Sequence, residues 1–187
     1  MNQTHRDKML DAVKKINPKM ILEVGVHNGN GAEVLLKVLN PENLVLIDCW
    51  EPQKEYESKE NYITYLNTGY FEDCYQRVIE KFRNDSRVDI IKKYSLDASK
   101  MYEDETFDFI YVDACHRYEC VMDDLNCWFP KLKVGGIIGG DDYCDEEKGV
   151  VNAVNDFFSN KYKIELFEGN KRGSVMMDGS WLVRKSE

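Results

Sequence analysis

Short apolar runs alternate with helical periodicities along most of the chain. Five apolar runs are short enough to be buried strands: Met20–Val24, Leu44–Asp48, Val88–Ile91, Phe107–Asp113 and Gly136–Asp141. Between most of them, apolar residues recur at helical spacing over four stretches: Ala32–Leu39, Phe71–Phe82, Tyr118–Phe129 and Val150–Phe158. Strands that alternate with helices predict βαβ units, which give a mainly parallel sheet with helices on both faces.

The two ends of the chain differ from this alternation. Thr4–Ile16 carries apolar residues at helical spacing and stops at Asn17-Pro18. Tyr162–Phe167 and Ser180–Arg184 have the pattern of strands with no helix between them, so we expect them to pair antiparallel at one edge of the sheet. The pattern therefore predicts a doubly wound, Rossmann-like α/β fold. Its seven-stranded, mostly parallel sheet ends in an antiparallel hairpin, and residues 1–187 form one domain.

The segment Glu51–Tyr70 fits neither periodicity well. It holds four tyrosines among charged residues: Tyr56, Tyr62, Tyr65 and Tyr70. Long segments of this kind in compact domains often act as lids or binding loops. A surface helix with aromatic packing is the alternative. Both interpretations, a lid or substrate-binding insertion and a surface helix, stay open, and the segment is the main candidate for the source of acceptor specificity.

Composition narrows the classes of partner and compartment. The chain has 187 residues and a formal net charge of -9 at pH 7, which repels phosphate backbones and argues against nucleic-acid binding. No run of eighteen apolar residues occurs, so we expect no membrane span. The N-terminus lacks the apolar region of a signal peptide, so we expect a cytoplasmic protein.

The cysteine pattern excludes one class of metal site. The chain has six cysteines and no CxxC pair, so the spacing of a zinc ribbon is absent. A chain of this length does not depend on disulfides for stability. We therefore expect reduced, mostly buried thiols.

Glycines cluster directly after the first predicted strand. The sequence Glu23-Val-Gly-Val-His-Asn-Gly-Asn-Gly31 places an acidic residue before three glycines. Glycine lets the backbone turn tightly and approach a ligand, and ligands bind at the carboxyl ends of the strands in a doubly wound sheet. The dinucleotide pattern G-x-G-x-x-G fails because its third glycine position is Val34. The P-loop pattern fails because no Lys-Ser or Lys-Thr follows.

Two residues at the end of the second predicted strand, Asp48 and Trp50, are candidates for nucleoside contacts. Asp48 ends the strand, where a carboxylate can accept both ribose hydroxyls. Trp50 follows, and its ring could lie against an adenine. The alternatives are a turn cap for Asp48 and core packing for Trp50.

Together, Glu-x-Gly-x-x-x-Gly-x-Gly and the following Asp48 resemble motifs I and II of the class I methyltransferases that use S-adenosylmethionine (SAM). The resemblance runs from about Met20 to Arg184 and is most specific in FDFIYVDACHRYECVMDDLNCWFPKLKVGGIIGGDDY, from Phe107 to Tyr143. This stretch is similar to the O-methyltransferases related to catechol and caffeoyl-CoA methyltransferases. It is more similar still to the small enzymes that methylate sugar hydroxyls of antibiotics, which the segment GVVNAVNDFF also resembles.

The resemblance implies roles for individual residues in holding SAM. Gly25, Gly29 and Gly31 would line the methionine and ribose portion, and Glu23 would orient the loop or reach the amino group. The ribose would be held by Asp48, and the adenine would lie near Trp50 and Ser95. Asp113, at the end of the fourth strand, would also border the cofactor. Relatives of this kind are often dimeric or larger, which leaves a homodimer open.

Methyl transfer to a hydroxyl needs the acceptor held in line and its proton removed. A hard cation such as Mg²⁺ can bind a hydroxyl and lower its pKa. In the metal-dependent O-methyltransferases, acidic residues after the fourth and fifth strands hold the ion, and Asp113, Asp141 and Asp142 match those positions. Turn capping or simple solvation is the alternative for Asp141 and Asp142.

His116 lies three residues after Asp113, at the offset where catechol-type relatives carry a lysine base. A histidine pKa near 6.5 suits a general base, so His116 and Asp113 are the predicted catalytic residues. Metal ligation, a substrate contact or a helix cap remain open for His116. The other histidine outside the glycine loop, His5, is expected to face solvent.

The sequence therefore predicts a SAM-dependent methyltransferase that acts on a hydroxyl of a small molecule, with a sugar as one candidate. One alternative keeps SAM but changes the acceptor to an amine, an acid or a protein side chain. A second is a SAM- or nucleoside-binding module without catalysis. A third, a nicotinamide oxidoreductase, is disfavoured by the missing third glycine.

Overall fold

A seven-stranded sheet forms the centre of the molecule in a computed structural model that describes residues 3–52 and 69–187. The strand order is β3-β2-β1-β4-β5-β9-β6. The first five strands in this order run parallel, and β9 lies antiparallel between β5 and β6. The strands are β1 Met20–Val24, β2 Asn43–Asp48, β3 Val88–Lys92, β4 Phe107–Val112, β5 Leu132–Gly140, β6 Ile164–Glu168 and β9 Gly179–Arg184.

Helices cover both faces of this sheet. They are α1 His5–Lys14, α2 Asn30–Leu39, α3 Tyr70–Phe82, α4 Ser95–Ser99, α5 Tyr118–Trp128 and α6 Lys148–Phe158. Alternate residues of each strand point to opposite faces, so the sheet divides the core into two clusters. Buried side chains of α1, α2 and α3 pack on one face, and those of α4, α5 and α6 pack on the other.

The predicted fold class is confirmed: a seven-stranded, mostly parallel sheet with a C-terminal antiparallel hairpin. Three details differ from the sequence-based expectation. The short helix α4 was not predicted, and neither was a small separate hairpin of β7 (Lys171–Arg172) and β8 (Val175–Met176). The last strand, β9, is internal, because it pairs with both β5 and β6 and leaves β6 at the edge.

Most of the tyrosine-rich segment lies outside the described residues, which stop at residue 52 and resume at 69. Its interpretation as a lid or a surface helix is therefore still a prediction. Among the helices of the described ranges, none combines the length and the apolar character that a bilayer crossing needs.

A carboxylate on β4 fixes the start of the central strand. Asp108 Oδ2 accepts hydrogen bonds from the backbone N–H groups of Lys19 and Met20, at 2.9 and 2.8 Å, and Lys133 Nζ lies 2.7 Å from Oδ1. Burial opposes ionisation, but these bonds dominate and hold the pKa of Asp108 below its ordinary value. Asp108 thus ties β1 and β5 to β4.

We expect Asp108→Ala to lower the free energy of unfolding by about 1–2 kcal/mol at neutral pH, because two backbone donors lose their acceptor. The folded-state pKa is depressed, so the stabilisation is present above the ordinary aspartate pKa and is lost as the pH falls. The difference from wild type should therefore narrow below about pH 4.

Urea denaturation at several pH values measures this difference. Asp104→Ala is the matched control, since the exposed Asp104 carboxylate forms an ion pair with Lys131, and this substitution should change stability by less than about 0.5 kcal/mol. Equal effects of the two substitutions would contradict the assigned role of Asp108.

Candidate functional site

The chain leaving β1 passes through a narrow gap between its two neighbouring strands. Gly25 donates its N–H to Ile47 O of β2 at 2.9 Å, and Asp113 donates its N–H to Val24 O at 2.8 Å. Gly25 has φ +90°, and a Cβ added there would lie 2.1 Å from the carbonyl oxygen of Asp113. Only glycine fits this position without moving backbone. The gap brings the ends of β1, β2 and β4 together.

At the other two glycines of the loop, as at Gly25, an added Cβ would meet protein atoms. Gly29 has φ +78°, and a Cβ there would meet Phe82 and Val78 of α3. A Cβ on Gly31 would lie 2.2 Å from Glu23 Oε1. These two glycines therefore let the loop and α2 pack closely on α3 and on Glu23. The resemblance implies that both line SAM, but neither lines the cleft at the strand ends that is described below.

Glu23 is almost fully buried, with 1% of its surface exposed. Its Oε2 has no hydrogen-bond partner among the described residues, and burial, followed by the nearby charge of Asp113, raises its pKa well above the ordinary value. A neutral carboxyl in this position can donate as well as accept a hydrogen bond. Glu23 lies under the glycine loop, which fits the loop-orienting role expected for it.

Asp48 is bonded to the same loop. Its Oδ2 accepts from the backbone N–H groups of Val26 and His27, at 3.0 and 2.9 Å, and its Oδ1 accepts from Trp50 N at 2.7 Å. Both oxygens thus stabilise backbone turns, as in the capping alternative. Oδ2 uses both of its lone pairs in these bonds, whereas Oδ1 keeps a second one, and Asp48 also lines the cleft, so the ribose contact stays a prediction.

Trp50 is not placed to meet an adenine, and this expectation is corrected. Its side chain is only 2% exposed and belongs to the core on the face of α1, α2 and α3. The indole Nε1 donates to His27 O at 2.7 Å, and the ring packs against Tyr75 at 4.7 Å between centroids. Burial of the large indole ring stabilises the fold, and the hydrogen bond to His27 O holds the glycine loop.

A cleft of about 460 Å³ opens at the carboxyl ends of β1, β2, β3 and β4. Four of the predicted cofactor residues line it: Gly25, Asp48, Ser95 and Asp113. Ser95 Oγ donates to Asp124 and accepts from Trp128 Nε1 at 2.7 Å, which fixes the start of α4 against α5. This is the position at which doubly wound sheets bind ligands.

Several residues that the sequence did not single out also line this cleft. Glu51 and Tyr94 meet at its rim, where the tyrosine hydroxyl donates to Glu51 Oε2 at 2.5 Å. Other parts of the lining are Asp123 and Asp124 of α5 and the three cysteines Cys49, Cys115 and Cys120. Their positions depend on pairing between strands and helices distant in sequence. Of these residues, only Glu51 could have been recognised from the sequence, because it lies three residues after Asp48.

A larger groove of about 860 Å³ lies between the glycine loop and α3. Its lining side chains are all polar: Asn28, Asn30, Asp73, Gln76, Arg77, Glu80 and Lys81. Ligand pockets normally combine apolar surface with a few polar groups. The cleft at the strand ends is the more apolar and the more enclosed of the two, and so fits this description better.

Asp113 and Asp141 share a cation from the first helix. Arg6 Nε donates to Asp141 at 3.1 Å, Arg6 Nη2 makes a second contact there, and Arg6 Nη2 lies 3.4 Å from Asp113 Oδ2. Burial raises the pKa of Asp113 to about 6, with Asp141 and Asp142 acting in the same direction and Arg6 opposing.

Asp141 is fully engaged by groups other than a metal. Besides Arg6, it accepts a hydrogen bond from Ser180 Oγ at 2.9 Å, and His5 Nδ1 lies 3.2 Å from its Oδ1. His5, expected to face solvent, is thus largely buried against β9, with 15% of its side chain exposed. No sequence signal links α1 to the end of β5, because the contact is made only in the folded chain.

His116 lies between two carboxylates. Its Nε2 is 3.0 Å from Asp142 Oδ2, and its Nδ1 is 3.3 Å from Glu147 Oε1. The bond to Asp142, helped by the charge of Glu147, raises the pKa of His116 to about 9. The imidazole therefore carries a proton on both nitrogens at neutral pH. This arrangement does not match the general base expected from an ordinary histidine pKa.

The side chains able to share a metal ion differ from the predicted set. Within the described residues, one ligand atom each from Asp113, His116 and Asp142 lies within 4.8 Å of the others. Asp141 is absent from this group because its carboxylate faces Arg6. The group that meets this distance criterion thus contains two of the three predicted aspartates together with His116, and metal binding itself stays a prediction.

Comparison with known proteins gives the family. Residues 22–143, more than half of the chain, match the family described as "Methyltransferase domain". The chain belongs to the methyltransferase domain family. The matched range runs from β1 to the turn after β5, and so contains the glycine loop, Asp48, Asp113 and Asp142. The predicted cofactor, SAM, is that of class I methyltransferases.

One relative is similar in sequence to most of the chain. The chain is 28% identical over 159 residues to an uncharacterized protein, R132, of Acanthamoeba polyphaga mimivirus. This match covers 79% of the chain and 64% of that protein, so the chain spans less than two thirds of its relative.

Three solved structures superpose on most of the chain. An rRNA methylase from Streptococcus thermophilus has a TM-score of 0.71 at 10% identity, with 100% and 99% of the two chains covered. The N-methyltransferase NodS from Bradyrhizobium japonicum has 0.66 at 15%, with 97% and 95% covered. An O-methyltransferase from Bacillus cereus in complex with SAH, S-adenosylhomocysteine, has 0.66 at 16%, with 95% and 79% covered. Such similar scores for different acceptors show the fold alone.

We expect Gly25→Ala to lower the affinity for S-adenosylhomocysteine by more than about tenfold and to destabilise the fold, because the added Cβ would displace the end of β1 or β4. Gly135→Ala is the matched control. Gly135 also has positive φ, +83°, but nothing lies within 4 Å of its Cβ position. It should lose only about 1–2 kcal/mol to backbone strain and keep its ligand affinity.

Isothermal titration and urea denaturation of the two variants separate strain from steric overlap. The outcome that would contradict the proposed close approach is equal ligand affinity in Gly25→Ala and Gly135→Ala.

Proposed function

We propose that this protein transfers a methyl group from SAM to a hydroxyl of a small molecule, with a sugar as the leading class of acceptor. The observation that carries the proposal is the cleft at the strand ends. There the glycine turn, a carboxylate after β2 and a carboxylate after β4 face one space. The resemblance of the stretch from Phe107 to Tyr143 to sugar O-methyltransferases supports the choice of acceptor.

The cofactor would lie along the carboxyl edge of the sheet. The backbone of Gly25 borders its methionine portion, and Asp48 and Glu51 offer carboxylate oxygens to the ribose hydroxyls. Ser95 and Tyr94 border the adenosine end. This orientation points the sulfonium methyl group towards Asp113, beside which the acceptor would bind.

In the transfer step, the acceptor oxygen attacks the methyl carbon in line as the carbon–sulfur bond breaks. The hydroxyl proton must leave at the same time. Asp113 lies at the cleft and can accept it, whereas His116 has a carboxylate on each ring nitrogen. We assign His116 the role of a cation that orients Asp142 and Glu147 at the acceptor side, so that the acceptor hydroxyl is held close to the methyl group.

With His116 deprotonated at its ligating nitrogen, a divalent ion fits the donor set of Asp113, His116 and Asp142 and takes the place of the cationic imidazole. A bound ion would act as a Lewis acid that lowers the pKa of the acceptor hydroxyl. Mg²⁺ prefers oxygen ligands alone, while an imidazole with two carboxylates also suits Mn²⁺. The chain's own residues thus favour Mn²⁺ over the Mg²⁺ expected from three aspartates.

The net charge and the state of the cysteines bear on the class of partner and on the compartment. The net charge of -9 supports a small acceptor rather than a nucleic acid, although rRNA methylases share the fold. All six cysteines fall within the described ranges and none is in a disulfide, which supports the cytoplasm. No membrane partner is proposed, and a homodimer is an assembly that size-exclusion chromatography with light scattering would detect.

Two other functions remain as alternatives to be tested. A methyltransferase with an amine acceptor would share the cleft, as the likeness to NodS illustrates. A SAM-binding module without catalysis would bind the cofactor and show no turnover with any hydroxylated acceptor. Transfer of a tritiated methyl group to a panel of sugars, phenols and amines distinguishes these functions.

Titration with S-adenosylhomocysteine is the first test of the cofactor. We expect wild-type binding at about micromolar Kd, with losses of at least about tenfold in Asp48→Ala and Glu51→Gln, because a carboxylate–hydroxyl bond is worth about 1.5–3 kcal/mol. Asp48→Ala should also unfold at lower urea, since three backbone donors lose their acceptor. Glu51→Gln should leave stability unchanged.

Asp104→Ala is the control and should bind as the wild type does, because Asp104 is exposed and does not line the cleft. No binding by the wild-type protein would contradict the proposed function. Full binding by both carboxylate variants would contradict the placement of the ribose.

Titration of the metal-stripped protein with Mn²⁺ tests the donor set without any turnover. We expect Asp142→Asn and His116→Ala each to weaken Mn²⁺ binding by more than about tenfold, because each removes one of three ligands. Asp141→Asn should bind Mn²⁺ as wild type does, since Asp141 faces Arg6. Electron paramagnetic resonance of unbound Mn²⁺ measures all four proteins. Equal losses in Asp141→Asn and Asp142→Asn would restore the set of three aspartates.

A further inference from the structure

Helix α6 is bonded to both of the loops that carry the proposed donor set. Tyr118, at the start of α5, donates its hydroxyl to Asp156 Oδ2 of α6 at 3.1 Å. Tyr143, in the turn after β5, donates its hydroxyl to Asn155 Oδ1 of α6 at 3.0 Å. The loop after β4, which carries His116, and the turn after β5 are therefore held against one helix.

The start of α6 lies so close to the His116 loop that only glycine fits between them. A Cβ on Gly149 would lie 2.1 Å from the carbonyl oxygen of His116 and 2.8 Å from the backbone nitrogen of Tyr118. Both are backbone atoms, so a side chain at this position would push the helix and the loop apart. The close approach fixes the beginning of α6 relative to His116.

Glu147 immediately precedes α6, and its side chain reaches His116. Its Oε1 lies 3.3 Å from His116 Nδ1. Polar side chains in this position often cap the first turn of a helix, but the side chain of Glu147 makes no capping bond. Its backbone carbonyl accepts from Val150 and Val151, at 3.1 and 3.2 Å. The carboxylate thus contacts the imidazole and leaves the helix end to the backbone.

The two ring nitrogens of His116 face different kinds of partner. Nε2 lies 3.0 Å from Asp142 Oδ2, and Asp142 belongs with Asp113 and His116 to the group of possible metal ligands. Within the described residues, Glu147 is not a member of that group. An ion bound there would therefore meet Nε2, while Nδ1 keeps its contact with Glu147. This contact is common to the cationic and the metal-bound forms of the imidazole.

We propose that Glu147 is a positioning residue, which fixes the His116 ring with Nε2 towards Asp142 and Asp113. A metal-bound histidine commonly donates its other N–H to a carboxylate, which sets the tautomer and the orientation of the ring. The close packing of α6 on the His116 loop holds Glu147 in place for this contact. The part concerning the metal rests on the proposed function, whereas the fixed orientation of the ring does not.

The orientation of the ring can be measured without metal and without turnover. The chain has three histidines, so ¹³C relaxation of the imidazole Cε1–H groups in histidine-labelled protein reports on His116, whose signal is missing in His116→Ala. We expect an ordered ring in the wild type and in Glu147→Gln, whose amide oxygen still accepts from Nδ1. Glu147→Ala should lose this order, because Nδ1 has lost its acceptor.

Mn²⁺ titration of the metal-stripped protein measures the consequence for the donor set. We expect Glu147→Ala to weaken Mn²⁺ binding by at least about tenfold and Glu147→Gln by less than about threefold, because only the first removes the acceptor of Nδ1. Electron paramagnetic resonance of unbound Mn²⁺ gives the affinities, and urea denaturation should give the same midpoint for both variants and the wild type.

Glu146→Ala is the matched control. Glu146 is the exposed neighbour of Glu147, carries the same charge and is not in the group of possible ligands. Its replacement should leave both the order of the His116 ring and the Mn²⁺ affinity as in the wild type. A loss equal to that of Glu147→Ala would show that net charge, and not the contact with Nδ1, is responsible.

Two further results would overturn the proposal. One is a His116 ring as ordered in Glu147→Ala as in the wild type. The other is equal Mn²⁺ affinity of Glu147→Ala and Glu147→Gln, since equal losses would make Glu147 a ligand of the ion and full binding by both would leave it no role. Absence of Mn²⁺ binding by the wild type would instead contradict the proposed donor set, and the relaxation measurement would still decide whether Glu147 orients the ring.

Discussion

The close approach of Gly25 to the backbone of Asp113 is the constraint on which the site depends. β1 lies at the centre of the sheet between β2 and β4, and its chain leaves through a gap that admits no side chain. Because of this gap, the glycine loop, the end of β2 and the end of β4 form one wall of a cleft. A wider exit would separate the proposed cofactor contacts from Asp113, so backbone packing sets the geometry before any ligand binds.

Acidic side chains at the strand ends have different tasks, although they look alike in the sequence. Asp48 accepts backbone N–H groups of the glycine loop, and Asp141 is held by Arg6 and Ser180. Asp113 borders the cleft, and Asp142 meets His116. Asp48 and Asp141 both stabilise local structure, and Asp48 also lines the cleft. Asp113 and Asp142 lie with His116 in one group of possible metal ligands. Burial and the nearest cation decide which task each carboxylate has.

The fold could be predicted because strands and helices follow periodicities that any short window of sequence contains. The glycine loop and the role of Gly25 could be predicted for a related reason, since a tight turn after a buried strand is a local feature. Contacts between distant segments could not. Arg6 reaches Asp141 across 135 positions, and Trp50 is buried because α3 packs over it. The pKa of His116 likewise depends on Asp142 after the fifth strand and then on Glu147 at the start of α6.

The acceptor is the part of the account that the fold leaves open, as the rRNA, N- and O-methyltransferases with the same architecture illustrate. The central claim concerns the cofactor, and a crystal structure of the protein with S-adenosylhomocysteine tests it most directly. The account predicts the ribose beside Asp48 and Glu51, the homocysteine chain over Gly25 and the sulfur facing Asp113. Density for the ligand in the polar groove between the glycine loop and α3, with the cleft empty, would contradict it.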